Sequence, residues 1–273
     1  MGLLTTKIKY IFDYYVSSSY HVSLCVISYI IVIFLLNGIS INWVEISFIF
    51  CTTFFTYNFI KFYEFLTSNS RPFSISIKSN FINSLLFLII SLFLFFKFSI
   101  NQQIVIAIVS FLTIAYTIPI YSNATLRNNP FLKIITVGLC WSLVIVVFPF
   151  IEILNVVDLI YHFIVVFCIV IVQMVPFEIR DIKKDEDSIR TVVLNYGTRK
   201  IKRVAYFILM FVFAFSSSFN YIFDKSLLDP SLITILFILG ILILFCSDQQ
   251  KKYYSSFFVE SIPIYWLIIK IFL

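Results

Sequence analysis

Three acidic residues near position 180 have a spacing that suits metal binding. Glu178, Asp181 and Asp185 stand at i, i+3 and i+7, so a helix through this segment would carry all three on one face. Carboxylates stacked in this way repel each other, and a cation between them would relieve the repulsion. Mg²⁺ binds one or two carboxylates together with phosphate oxygens and water. The alternative is a solvated surface helix whose acids are neutralised by neighbouring basic residues such as Arg180, and spacing alone leaves both open.

The elements that would position these residues are membrane-spanning helices. Of the 273 residues, 61% are apolar and 12% are charged, whereas a soluble domain has about 25% charged residues. With a mean hydropathy of +1.01, this composition excludes a cytosolic enzyme, a secreted disulfide scaffold, a disordered chain and a coiled coil. Nine apolar runs can each span a bilayer, at 21–39, 43–61, 81–96 (extended to 79–98), 104–121, 134–153, 158–177, 204–223, 231–247 and 256–273. The sequence predicts an all-α polytopic membrane protein with nine transmembrane helices, folded as one domain over 1–273.

The basic residues predict the orientation of this bundle. Seventeen of the 20 Lys and Arg residues fall on the side that holds the N-terminus, and Lys97, Lys225 and Lys270 fall on the other. Because positive charge accumulates on cytoplasmic loops, we expect a cytoplasmic N-terminus. We expect an integral protein of a bacterial cytoplasmic (inner) membrane with its active face toward the cytoplasm. The net charge of +6 is then an orientation signal, and nucleic acid is not an expected partner.

The acidic segment and the residues after it resemble the second aspartate motif of the UbiA superfamily of intramembrane prenyltransferases. The matching pattern runs from Arg180-Asp181-x-x-x-Asp185 to Arg190-Thr191-x-x-Leu194-x-x-Gly197. A segment with Tyr121, Arg127, Pro130 and Lys133 is similar to the family's tyrosine/basic segment after the fourth helix. The resemblance implies a nine-helix fold and transfer of a prenyl group from a prenyl diphosphate to an aromatic or lipid acceptor in the membrane, with Mg²⁺ as cofactor.

The resemblance also implies a site at the cytoplasmic ends of the helices. Asp181 and Asp185 would be catalytic and would hold Mg²⁺ together with Glu178. The residues expected to bind diphosphate are Asn58, Lys61, Arg127, Lys133 and Arg180. Tyr121 and Gln173 are expected to contact substrate. For the basic residues among them, the alternative is a side chain that follows the positive-inside bias or extends to the membrane surface.

The family's first aspartate motif, expected after the second helix, is degenerate in this chain. Asn58 matches its leading asparagine. The positions where acids are expected carry Phe59, Phe62 and Leu66. Glu64 is the only acid nearby, and it lies two positions off that face. Apolar side chains cannot hold Mg²⁺, which takes oxygen ligands.

This loss leaves two functions open. Either the reaction uses one metal cluster with basic helpers, or the chain is a non-catalytic relative that binds an isoprenoid or lipid in the membrane. A cavity into which Lys61 or Glu64 points would favour a modified diphosphate site, and a cavity sealed by Phe59 and Phe62 would exclude the enzyme. A transporter ranks third, because few Gly or Pro residues interrupt the spans. Glu260, just inside the ninth predicted span, is interpreted as the start of that helix.

Overall fold

The computed structural model of the chain describes residues 2–67, 75–119, 125–182, 192–223 and 228–273. Within these ranges the regular structure is helical. The helices are α1 (Gly2–Ser17), α2 (Tyr20–Leu36), α3 (Trp43–Thr67), α4 (Ile75–Phe95), α5 (Ile100–Thr117), α6 (Pro130–Phe150), α7 (Val156–Asp181), α8 (Val192–Tyr196), α9 (Thr198–Ile222), α10 (Pro230–Phe245) and α11 (Tyr254–Phe272). A π-helical turn interrupts α6 at Leu143–Val147 and another begins α11 at Tyr254–Val259.

Each of the nine apolar runs coincides with one of the helices α2–α7 and α9–α11. In the described part of the chain, six helices are long and apolar enough to cross a membrane, and the α1–α2 pair makes a seventh if the two form one bent span. The apolar parts of α4 (Ser79–Phe95) and α10 (Pro230–Phe245) are shorter than the others. The all-helical polytopic membrane architecture is therefore confirmed, while the count of nine spans and the orientation stay predictions.

The first helix, α1, has no counterpart in the predicted elements. Its axis is bent by 61° from that of α2, and Ser19 at the junction has a left-handed backbone with φ 76°. Two side chains of α3 bind the junction: Asn58 Nδ2 donates to Ser18 O at 3.0 Å, and Lys61 Nζ donates to Ser17 O at 2.8 Å. These contacts tie the α1–α2 junction to α3.

Local polar residues fix where α6 and α7 begin. Asn129 Oδ1 accepts from the backbone N–H groups of Phe131 and Leu132 at 3.0 and 3.2 Å, and Pro130 occupies the first turn, where its missing N–H costs nothing. Asn155 caps α7 in the same way, through Asp158 N. These caps fix where α6 and α7 begin. The charged residues Lys133, Glu178 and Asp181 lie on these two helices.

Close packing of α6 against α7 depends on Gly138. A Cβ atom at this position would lie 2.9 Å from Phe167 Cε2, which is closer than carbon atoms pack, and 3.3 Å from Ile171 Cγ1, which is a tight contact. Small residues at helix interfaces let two backbones approach in membrane bundles. The approach brings the first turns of α6 opposite the last turns of α7.

Candidate active site

The acidic segment is part of α7, which continues past Pro176 as far as Asp181. A proline inside a helix removes one backbone hydrogen bond. Side chains outside α7 bind the carbonyl of this proline: Pro176 O accepts from Gln250 Nε2 at 2.6 Å and from Ser255 Oγ at 3.2 Å. Because the helix continues, Glu178 and Asp181 lie on it at the predicted spacing of three residues.

Glu178 is buried and paired with Lys133 of α6. The distance from Lys133 Nζ to Glu178 Oε1 is 2.7 Å, and the two side chains are 11% and 2% exposed. The backbone N–H of Val192 donates to the other carboxylate oxygen at 3.4 Å. Two residues expected in different roles, a metal ligand and a diphosphate binder, therefore form one ion pair in this structure. The pair joins α6 to α7, and the Val192 bond connects α8 to Glu178.

Asp181 is paired with its neighbour Arg180. Arg180 Nε donates to Asp181 Oδ1 at 2.8 Å and Nη2 donates to Oδ2 at 3.1 Å, a bidentate arrangement that also suits phosphate. The Arg180 guanidinium lies 5.0 Å from the centre of the Phe177 ring. Asp185 and Tyr121, the other residues expected here, lie outside the described residues.

The inward-facing side of α3 differs from the one predicted. Phe62 stacks on Phe81 of α4, with ring centres 4.2 Å apart and planes at 3°, and Leu66 is 63% exposed. Glu64 instead forms an ion pair with Arg127, which lies in a short 3₁₀ turn before α6. Glu64, which lies off the face expected from the motif, therefore reaches the site, whereas Phe62 and Leu66 on the expected face point elsewhere.

The buried amides Asn58 and Gln173 bind the protein itself. Asn58 Nδ2 donates to Ser18 O and to Phe54 O, at 3.0 and 2.8 Å. Gln173 accepts from Tyr29 OH at 2.6 Å and donates to Val259 O at 3.0 Å. In this structure both side chains hold neighbouring helices in register, so contacts with a ligand would require exchange of these bonds.

A further acid, Glu260 of α11, joins the same region. It follows the π-helical turn of α11, and its carboxylate lies within electrostatic range of Lys61 and Arg180. The interpretation of Glu260 as only a helix start missed this placement. An ionisable residue inside a membrane span is a functional candidate by default, and that signal was present in the sequence. We call the end of the bundle with Lys61, Glu64, Arg127, Lys133, Glu178–Asp181 and Glu260 the charged end.

An apolar cavity of about 520 Å³ lies between α3, α4, α5 and α6. Toward the charged end it is lined by Tyr57, Phe59 and Tyr116, and deeper by Trp141, whose Nε1 donates to Tyr57 OH at 2.9 Å. Arg127 lies 6.0 Å from the centre of the Tyr116 ring, so the cavity meets the charged residues there. Phe59 lines the cavity, and Phe62 stacks on Phe81 of α4.

The donor atoms at the charged end suit Mg²⁺ in type. Carboxylate oxygens are the ligands that Mg²⁺ takes, with phosphate oxygens and water completing the shell. Within the described ranges no group of three His, Cys, Asp or Glu residues is placed to hold a metal without other ligands. A metal bound here would therefore combine Asp181, and Glu178 after exchange of its lysine, with ligands from outside the described set.

No protein-family model matches the chain, and no curated protein matches it significantly. Among solved structures, the chain is similar to a digeranylgeranylglyceryl phosphate synthase in membranes. The two share 16% identity with a TM-score of 0.60, over 96% of this chain and 99% of the other. That synthase is a UbiA-superfamily prenyltransferase. At this identity the likeness concerns architecture, and it agrees with the motif resemblance: the chain shares the fold of that synthase structure.

Proposed function

We propose that the chain is a prenyltransferase that moves a prenyl group from a prenyl diphosphate to an aromatic or lipid acceptor in the membrane. The observation that carries this proposal is the junction of an apolar cavity with a cluster of cations. The isoprenoid tail would lie between α3 and α6, against apolar and aromatic side chains. The diphosphate would lie at the charged end.

The cations would bind the diphosphate by exchanging their present partners. Arg127 and Arg180 can each grip two phosphate oxygens, whereas Lys61 and Lys133 act as point charges. In this structure these side chains bind Glu64, Asp181, the α1–α2 junction and Glu178, respectively. A diphosphate would replace those anionic and carbonyl oxygens with its own. Asn58 would contribute by holding the junction next to Lys61, and Tyr121 and Gln173 are proposed to contact the substrate.

Mg²⁺ held by Asp181 and Asp185, with Glu178, would neutralise the leaving group. A metal held by Asp181 would free Arg180 from its ion pair with that carboxylate, so that Arg180 could bind phosphate. The bond between the first prenyl carbon and the diphosphate oxygen then breaks, and the electron pair leaves with the diphosphate. Tyr57 and Tyr116, where the cavity meets the charged end, would stabilise the allylic cation through their ring faces. The acceptor forms the new bond and loses a proton.

Turnover tests this proposal. Purified protein with Mg²⁺, a prenyl diphosphate and a panel of aromatic and lipid-alcohol acceptors should release diphosphate and form prenylated product. Asp181→Ala should slow the reaction by roughly 10²–10³-fold, because electrostatic stabilisation of the leaving group is lost. Asp13→Ala is the matched control, since Asp13 pairs with Lys252 at the surface. Equal rates for both variants would contradict the proposal.

The second candidate is a non-catalytic membrane protein that binds an isoprenoid or lipid. It is favoured by the pairing of Glu64, Glu178 and Asp181 with cations and by the absence of the first-motif acids. Its signature would be binding of a prenyl compound that does not depend on Mg²⁺ and releases no diphosphate. The same assay distinguishes the two functions.

A further inference from the structure

Three phenylalanines pack together at the end of the cavity away from the charged residues. Phe48 of α3 lines the cavity and packs against Phe98 and Phe148, with ring centres 4.8 and 5.3 Å apart. The third side of the triangle, from Phe98 to Phe148, measures 5.1 Å. Phe48 and Phe148 are fully buried. We call these three rings the aromatic floor.

Buried hydrogen bonds hold the aromatic floor from behind. Gln102 Nε2 donates to Glu45 Oε1 at 2.9 Å and to the backbone carbonyl of Phe148 at 3.1 Å. Gln102 is itself fixed by a reciprocal capping box with Ser99 at the start of α5, which stabilises a helix terminus. Three helices, α3, α5 and α6, therefore meet at this point, and the floor cannot move away from an incoming chain without breaking polar contacts.

The floor sets the depth of the cavity. The lining residues of α3 run from Phe48 to Ile60, which corresponds to about 18 Å at the helical rise per residue. An extended isoprene unit advances by roughly 5 Å, since it adds four carbon–carbon bonds of about 1.5 Å in a zigzag. The cavity is therefore deep enough for about three to four isoprene units.

We propose that the aromatic floor limits the length of the isoprenoid chain, so that the site takes prenyl groups of about 15–20 carbons and rejects longer ones. The proposal rests on the proposed function, because it assumes that the tail enters from the charged end. Phe48 is then a specificity-determining residue. A longer chain would have to displace rings that the Glu45–Gln102 contact holds in place.

One route would bypass the floor. Leu92 of α4 and Ile114 of α5 line the cavity and are also about half exposed on the outer surface of the bundle. A tail that leaves between α4 and α5 would enter the lipid and meet no limit. The two routes make opposite predictions for chains of increasing length.

Binding of a length series separates them. Prenyl diphosphates of two to seven isoprene units are titrated against the full chain, with quenching of Trp141 fluorescence as the readout, because Trp141 lines the cavity. On the proposal, affinity rises at least about tenfold per added unit as more apolar surface is buried. It then falls at least tenfold one unit beyond the limit. A continuous rise or a plateau with no fall would overturn the proposal.

Two variants test the residue itself. Phe48→Ala should move the limit to a chain one unit longer, and Phe50→Ala, on the same helix but packed on Phe54 and Phe87, should leave it unchanged. If Phe48→Ala does not fold, Thr52→Phe supplies the test, because Thr52 lines the cavity one turn closer to the charged end. Its added ring should shorten the limit by one unit. An unchanged length profile in a folded variant would overturn the role of the floor.

The same data separate this inference from the proposed function. If the length limit moves in the Phe48→Ala variant but no diphosphate is released, the role of the aromatic floor is supported and the prenyltransferase function is contradicted. Prenyl transfer that proceeds equally well with every chain length would support the prenyltransferase function and contradict the length limit. If no prenyl diphosphate binds, both are overturned.

Discussion

Lys133 and Glu178 show why a charged residue near a membrane surface cannot be assigned a role by type alone. The pair is almost fully buried, and moving two charges out of water costs about as much as their attraction returns. Such a pair adds little net stability, yet it holds α6 and α7 in one register. The same two groups can exchange partners when a diphosphate and its counter-ion arrive.

Breaking this ion pair should destabilise the protein more than breaking one at the surface. Glu178→Leu leaves the Lys133 ammonium buried without compensation and should lower the free energy of unfolding by about 3–5 kcal/mol. The Lys133→Met/Glu178→Leu double variant should recover part of that loss. The control is Asp13→Ala, whose partner Lys252 is 75% exposed and whose loss should cost at most about 1 kcal/mol. Unfolding in mixed micelles measures all three, and equal losses would contradict the buried-pair account.

Residue identity predicted the charged end, but not which face of α3 points toward it. The motif comparison placed its expected face on Phe59, Phe62 and Leu66. In the structure Phe62 packs on α4 and Glu64 pairs with Arg127. A helix that is apolar all round carries no periodicity that fixes its rotation, so the contacts that decide the question come from residues distant in sequence.

At the scale of elements, α1 is the helix that the sequence pattern did not predict. Its residues 2–17 mix apolar and polar types, and it is too short to be predicted as a span. Bonds from Asn58 and Lys61 to the backbone of Ser17 and Ser18, some 40 positions away in the chain, hold its C-terminal end. Long-range hydrogen bonds of this kind leave no local pattern, whereas the caps of α6 and α7 do.

Removing the Asn58 amide should release α1. Asn58→Ala leaves Ser18 O without its donor in a buried position, at a cost of about 1–3 kcal/mol. Limited proteolysis should then cut faster near the α1–α2 junction. Asn101→Ala, which removes a hydrogen bond to Glu152 at an exposed position, is the control. Unchanged cleavage in Asn58→Ala would show that other contacts hold α1.

Replacing Gly138 should separate α6 from α7. Alanine in a helix is favoured over glycine by roughly 0.5–1 kcal/mol, but at this position its Cβ would lie 2.9 Å from Phe167 Cε2. We expect a net loss of about 1–3 kcal/mol from overpacking. Gly240→Ala is the matched control, because the nearest side-chain atom there is 3.7 Å away, and it should be neutral or stabilising. Thermal unfolding of the two variants compares them, and equal midpoints would contradict the packing argument.

At the scale of the whole molecule, the apolar runs predicted the fold well because each is a single helix. All nine coincide with helices of the structure, and the architecture matches that of a UbiA-superfamily enzyme. The span count is harder, because α4 and α10 have apolar parts shorter than the other helices. Helix length alone does not say whether such a segment crosses the bilayer or tilts within it.

Cysteine labelling tests the predicted orientation. Ser40→Cys lies in the α2–α3 connection and Gln249→Cys in the α10–α11 connection, both at exposed positions. An impermeant thiol reagent added to intact cells should label Ser40→Cys and not Gln249→Cys, because basic residues predict that the α10–α11 connection is cytoplasmic. Wild-type protein is the control, since three of its five cysteines are buried and two are partly buried. Labelling of Gln249→Cys alone would reverse the topology.

The most direct test of the account is Mg²⁺-dependent binding of a labelled prenyl diphosphate to the purified chain. We expect wild type and Asp13→Ala to bind it equally, and to lose at least about tenfold in affinity when the metal is chelated, since carboxylate and phosphate oxygens are the ligands that Mg²⁺ prefers. Asp181→Ala should bind weakly with or without Mg²⁺. Binding that is the same in all three proteins and indifferent to Mg²⁺ would contradict the assignment of the charged end as a diphosphate site.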